Sequence, residues 1–155
     1  MTPLRLGYIV AHPVRLFFRR AFQIRTRGVK AVVLRGREVL LIRHSYFATD
    51  RYMLPGGGVG RKETALEAGI REALEETGCR LDKVRVHGEF LSNGEGFPDH
   101  ITVIVGETRD DPRPDAGELL EARFFPLDAL PDALTAASRR RVIEIRDGLP
   151  PPGEW

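Results

Sequence analysis

The chain has 155 residues, 42% of them hydrophobic and 30% charged, the composition of one ordinary soluble globular domain with room for a core. Its single cysteine, Cys79, excludes an internal disulfide and a cysteine metal cluster and fits a reducing cytoplasm, and no apolar run is long enough to span a membrane. The net charge of +2 hides an asymmetry: residues 1–30 hold Arg5, Arg15, Arg19, Arg20, Arg25, Arg27 and Lys30 with no acidic residue, and such a segment attracts anionic partners.

The N-terminal stretch LGYIVAHPV is broken by His12 and Pro13 and carries no cleavage signal, so no signal peptide is expected. Pro13 opens a short predicted helix to about Phe22, with Val14, Phe17, Phe18 and Ala21 on one face and Arg15, Arg19 and Arg20 elsewhere. Packing on the domain or on a second subunit is the simplest use of that face. Peripheral contact with a membrane through residues 1–25, or contact with nucleic acid, are the alternatives. Residues 28–35 and 38–43 are β-branched and aliphatic, and Gly36-Arg37 joins them as a hairpin. Residues 44–55 read as a loop, and Gly56, Gly57, Gly58 and Gly60 as a glycine-rich turn.

A helix is predicted over about 62–77, stopped by Gly78. Leu66, Ile70, Ala73 and Thr77 form its inward stripe, and Gly69 marks a close approach to another element. Strands follow at 83–91, 100–107 and 121–126, with DDPRPDAG as a loop before the last of them. A closing helix is predicted over 133–146, where Arg139, Arg140 and Arg141 read as a solvated face, and the tail LPPPGEW reads as loosely held. The order β, β, helix, β, β, β, helix is a mixed α/β pattern.

The helix at 62–77 carries the chemistry. Glu72, Glu75 and Glu76 fall within an arc of roughly 100° at 100° per residue. Like charges at i,i+3 and i,i+4 destabilise a bare helix by a few tenths of a kcal/mol per pair, and Arg71 offsets only part of that. Clustered carboxylate oxygens suit Mg²⁺ or Mn²⁺. The three glutamates are expected to one side of the inward stripe, at the rim of a cleft and not under the core. An acidic run alone is most often a solvated face. The order of residues around it argues otherwise: the stretch matches G-x5-E-x7-R-E-U-x-E-E-x-G-U, with U apolar. Gly57, Glu63, Arg71, Glu72, Glu75, Glu76 and Gly78 take the fixed positions, and Ala73 and Cys79 the apolar ones. This resembles the Nudix box, the signature of the Nudix hydrolases.

The resemblance implies a Nudix-type α/β/α sandwich on a mixed sheet over residues 28–147. Residues 1–27 are then a basic helical extension and 148–155 a proline-rich tail. It also implies a metal-dependent hydrolase that cleaves the pyrophosphate linkage of a nucleoside diphosphate joined to another moiety, X, with Mg²⁺ or Mn²⁺. Carried over by position, Glu72, Glu75 and Glu76 are metal ligands, joined by the backbone carbonyl of Gly56; Glu72 acting mainly as general base is the alternative. Arg71 orients the glutamates. Glu63 supports the site from its edge, or simply favours the positive helix end. A further carboxylate from a loop is assigned first to Glu118, with Glu95 and Asp99 as alternatives.

Gly60, Arg61 and Lys62 depart from the residues common in the family, at positions the motif leaves open, and add positive charge to the turn. Arg43 ends a strand facing this region and is read either as a contact to a substrate phosphate or as a surface salt bridge. His44, His87 and His100 lack metal-ligand spacing. The expected partner is a nucleotide-derived small molecule, with no stable nucleic-acid partner, and a homodimer is compatible with the N-terminal helix. A Nudix-like domain that binds nucleotide and regulates without catalysis is the competing class, although this box keeps every charged position. Gly94, Glu95, Gly96 and Phe97 stand where a proline marks ADP-ribose enzymes or a tyrosine marks dinucleoside polyphosphate enzymes, so X stays open.

Overall fold

The computed structural model describes residues 27–44, 50–92, 100–114 and 119–155. Strand β1 (Arg27–Arg35) turns at Gly36, where φ is +58°, into β2 (Glu38–His44). The two pair only beside the turn, through Leu34 with Val39 and Arg35 with Glu38, and then part. The chain that follows β2 fills the fork between them. Met53 exchanges two backbone hydrogen bonds of 2.9 Å with Ile42, and the Pro55 carbonyl accepts from Ala31 N–H. Then β3 (Gly56–Gly58) runs antiparallel to β1, pairing Gly28 with Gly58 and Lys30 with Gly56. The glycines expected as a turn are therefore a short strand, because the diverging hairpin leaves β1 with backbone groups that need partners.

Strands β4 (Asp82–Leu91), β5 (His100–Glu107) and β6 (Leu119–Pro126) complete a six-stranded sheet in the order β4-β5-β1-β2-β6, with β3 beside β1. Among the described strands only β1 and β5 pair in parallel; the other pairs are antiparallel. Both faces of the sheet are covered, which is why β1 and β2 read as unbroken apolar runs without alternation. Val29, Ala31, Val33, Leu40 and Ile104 pack with Ala68 and Ala73 of helix α1 (Ala65–Thr77). Val32, Val39, Leu41, Val103 and Phe125 pack with Val142 of helix α2 (Ala136–Asp147) on the other face. This is the expected α/β/α arrangement.

Helix α1 starts three residues later than the sequence suggests. Residues 60–63 close a separate turn, in which Gly60 N–H donates to Glu63 Oε1 at 2.7 Å. Thr64 then caps the helix in a capping box with Glu67, and Gly78, at φ +74°, ends it. The inward stripe is also displaced. The buried positions are Ala68, Gly69, Glu72, Ala73, Glu76 and Thr77, while Leu66 and Ile70 are only partly covered. The cause is the close approach at Gly69, where an added Cβ would lie 2.3 Å from Ile104 Cδ1. A helix that presses on the sheet through a glycine turns its small residues inward and its larger ones aside.

Two expectations for the C-terminal region are corrected. Arg141 is not solvated: it is fully buried, its guanidinium 4.0 Å from the centre of the Phe90 ring, donating to Glu144 Oε1 at 2.7 Å and to the Glu154 carbonyl at 2.8 Å. The tail is not loose either. Leu91 N–H donates to the Gly153 carbonyl and Trp155 N–H to the Leu91 carbonyl, and the Trp155 ring meets Phe90 edge-on. The tail covers part of the exposed edge of β4, as edge strands commonly require.

Candidate active site

Helix α1 lies against β3, and the contact is made by two carboxylates. Glu72 and Glu76 stand one helical turn apart, each 2% exposed. A Cβ on Gly57 would fall 2.3 Å from Glu72 Oε1, so this carboxylate fits only because residue 57 lacks a side chain. Glu76 Oε2 accepts from Gly56 N–H at 3.2 Å. Glu75 points elsewhere: its side chain is 45% exposed. The expectation that all three glutamates lie at a rim beside the stripe is thus corrected. Two belong to the buried face, and Glu75, at the outer end of the same roughly 100° arc, reaches solvent.

Arg71 binds the group together. Its Nε and Nη2 grip both oxygens of Glu63, at 3.1 and 2.7 Å. Its Nη1 donates to Glu72 Oε1 at 3.0 Å and to Glu75 Oε2 at 3.3 Å, and Nη2 also reaches the Gly58 carbonyl at 3.1 Å. The hydrogen bond from Arg71 holds the Glu63 carboxyl below the usual glutamate range, against the opposing effect of burial. The bond to Glu63, helped by Glu72, raises the Arg71 guanidinium above its ordinary value. Glu63 thereby touches both the turn and the helix.

Among the described residues, no three His, Cys, Asp or Glu side chains converge as a ready-made metal centre. The donor chemistry nevertheless fits a hard divalent cation. The available atoms are oxygens, two of the carboxylates are buried, and the one positive charge of Arg71 is divided among Glu63, Glu72 and Glu75.

The structure does not bring Arg43 to these glutamates. Two residues beyond Leu41 on β2, it lies on the sheet face opposite α1. It pairs with Asp50 and with Glu121, at 3.0 Å, and sits over the Tyr52 ring. His87 pairs with Glu144 of α2 at 3.0 Å, also away from α1. Glu118, Glu95, Asp99 and the helix expected at 13–22 lie outside the described residues.

A cleft of about 280 Å³ that the sequence did not suggest is lined by Arg27, Glu89, His100 and Thr102. Register explains it: Arg27 pairs with His100 and Glu89 with Thr102, on the same sheet face as Val29 and Ile104 and therefore on that of α1. The cleft adjoins the glycine strand, since the Arg27 carbonyl accepts from Val59 N–H at 3.2 Å. Its residues come from three strands, and no linear spacing links them.

Residues 24–144 match the NUDIX domain family. The chain is 36% identical over 106 residues to the NAD-capped RNA hydrolase NudC of Chromobacterium violaceum, a match that covers 67% of this chain and 39% of that protein. It is 32% identical over 109 residues to the putative mutator protein MutT4 of Mycobacterium tuberculosis, covering 63% of this chain and 42% of that one. The chain thus spans about two fifths of the length of these curated relatives. The crystal structure of a MutT NUDIX hydrolase from Burkholderia pseudomallei superposes with a TM-score of 0.65 at 26% identity, over 77% of this chain and 96% of that one.

Proposed function

The chain belongs to the Nudix family, and on that premise we propose that it is a pyrophosphohydrolase acting on nucleoside diphosphate derivatives. The observation that carries this reading is the pair of buried carboxylates, Glu72 and Glu76, held against a strand of bare glycines. Arg71 and the Gly56 N–H hold these two carboxylates in place, and a hard divalent cation would offset the remaining like charge that burial gathers there. Glu72, Glu75 and Glu76, with the Gly56 carbonyl, would hold Mg²⁺ or Mn²⁺. Bound there, the ions would draw charge off the phosphoanhydride and acidify an attacking water.

The remaining roles belong to the chain's own groups. Arg71 fixes the rotamers of Glu72 and Glu75, and Glu63 fixes Arg71, so the carboxylates need little reorganisation when substrate arrives. Glu72, whose carboxylate stands against the backbone at Gly57, acting mainly as general base is the alternative to its role as a ligand. Glu118, with Glu95 and Asp99 as alternatives, is the proposed source of a further loop carboxylate. The cleft at Arg27, Glu89, His100 and Thr102 opens on the same face as α1 and would seat one end of the substrate.

The NAD-capped RNA hydrolases among the relatives make NAD-capped RNA a first member of a substrate panel. Turnover of that panel with Mg²⁺ and Mn²⁺, read as phosphate-containing products, tests the reading. Glu75→Gln and Glu76→Gln should each cut the rate by orders of magnitude and leave the fold intact. Turnover equal to the parent in both variants would refute this assignment of the site. Ligand binding without turnover across the panel would favour the regulatory alternative.

A further inference from the structure

The cations around the glycine strand fall into two groups. Arg71 is saturated by Glu63, Glu72, Glu75 and the Gly58 carbonyl. Lys30 Nζ donates to the Leu54 carbonyl at 3.2 Å. By contrast, Arg27, Arg61 and Lys62 are exposed and make no ion pair or side-chain hydrogen bond among the described residues. Most other arginines of the described strands and helices do have such partners: Arg35, Arg43, Arg123 and Arg146 each pair with a carboxylate, as does Arg37 in the turn between β1 and β2.

These three cations are close in the chain's connectivity to the glycines. Arg27 immediately precedes Gly28, which pairs with Gly58, and its carbonyl accepts from Val59. Arg61 and Lys62 occupy the turn that Gly60 and Glu63 close directly after β3. The only carboxylate fixed in that turn, Glu63, is already held by both prongs of Arg71 and leaves their charge uncompensated. Long, solvated cations contribute little to a fold but attract anions over roughly a Debye length, about 10 Å at 0.1 M salt.

We infer that Arg27, Arg61 and Lys62 form a cationic rim that takes phosphate groups of the substrate lying beyond the scissile pyrophosphate. The inference rests on the hydrolase reading for the position of that pyrophosphate, at the α1 glutamates. The extra phosphates have one chemistry and two possible sources: a longer polyphosphate on the same small nucleotide, or the first phosphodiesters of a nucleic-acid chain.

The test is equilibrium binding in Mg²⁺ buffer of inorganic pyrophosphate, inorganic tripolyphosphate and a 5′-phosphorylated oligoribonucleotide. The parent is compared with the double variant Arg61→Ala/Lys62→Ala and with Arg27→Ala, circular dichroism confirming that each is folded. The double variant should weaken tripolyphosphate or the oligonucleotide by about 2–30-fold at low salt, the range for two exposed ion pairs, with pyrophosphate unchanged. The difference should fade near 1 M salt, where the Debye length is about 3 Å. A loss confined to tripolyphosphate assigns the rim to small-nucleotide phosphates, and a loss with the oligonucleotide assigns it to phosphodiesters. Unchanged binding of all three ligands, or one common factor for all three, overturns the rim. A parent that shows this binding pattern yet hydrolyses no nucleotide would refute the hydrolase reading and leave the rim standing.

Discussion

Arg71 and Glu63 form a two-pronged ion pair across the junction of turn and helix, Nε to Oε2 at 3.1 Å and Nη2 to Oε1 at 2.7 Å. The pair converts a helix residue into a fixed donor for Glu72 and Glu75. A lysine at position 71 keeps the charge but cannot present that fork. Arg71→Lys should therefore lower turnover by about 10–100-fold while costing stability only about 1–2 kcal/mol, less than a buried hydrogen bond to a charged group because Arg71 is partly exposed. Steady-state kinetics beside urea unfolding would separate the two effects.

The same pair has a pH signature. The Glu63 carboxyl is depressed in the folded chain, chiefly by its bond from Arg71. A depressed acid contributes stability that is present above its unfolded pKa and is lost as pH falls through its folded one. The stability difference between the parent and Glu63→Gln should be full near neutrality and shrink below the ordinary glutamate range. A difference that stayed constant from pH 7 to acid would argue against the pairing.

Gly57→Ala and Gly69→Ala should fail in different ways. At Gly57 the added methyl meets the end of a flexible side chain, Glu72, which can move aside. The fold should survive, but a carboxylate displaced by about 1 Å can cost roughly 100-fold in rate. At Gly69 the methyl meets Ile104 Cδ1 and Val29 Cγ2 in the core. Alanine gains about 1 kcal/mol of helix propensity there. Overpacking costs about 1–3 kcal/mol, so the balance should be a loss of up to about 2 kcal/mol. Measuring activity and melting temperature on both variants checks the contrast.

Arg141 ties α2, β4 and the tail into one unit through Glu144, Phe90 and the Glu154 carbonyl. Burial pushes its pKa down, while Glu144 pulls the other way. Arg141→Ala strips the charged donor from Glu144 Oε1 while His87 still holds Oε2, so it should cost about 3 kcal/mol, the lower end for breaking a buried pair. Trp155→Ala removes only the ring contacts and should cost about 1–2 kcal/mol. Urea unfolding of the two single variants and the double variant should show non-additivity, since the side chains touch the same Phe90 ring.

Cys79 is fully buried behind Gly78, and desolvation raises its thiol pKa above the ordinary value. Little thiolate forms near neutrality, and no reagent reaches it directly. Thiol-reactive probes should label the folded protein slowly and the urea-unfolded protein at the rate of a free thiol. Rapid labelling of the native protein would contradict this burial.

Much of the architecture was legible in the linear pattern. The strands at 28–35, 38–43, 83–91, 100–107 and 121–126 appear within a residue or two of the expected limits. Those at 28–35, 38–43 and 100–107 are covered on both faces and so read as near-continuous apolar runs, whereas β4 at the edge is mostly exposed. The glycine strand β3 was not legible, since three glycines carry no side-chain pattern and pair only because the hairpin diverges. The burial of Arg141 was equally hidden. Three consecutive arginines look alike along the chain, and only the positions of Phe90 and Trp155 single one out.

The sequence by itself determined the chemistry of α1. Which charged groups share a helical turn depends only on local spacing, and that spacing names Arg71, Glu72, Glu75 and Glu76 together. The tertiary structure decided which of them are buried, which side chain Gly57 must make room for, and where a cleft opens on the same face. Burial and shape are set by what lies across the sheet, as Ile104 does opposite Gly69, and those partners are brought together by strand register and not by distance along the chain.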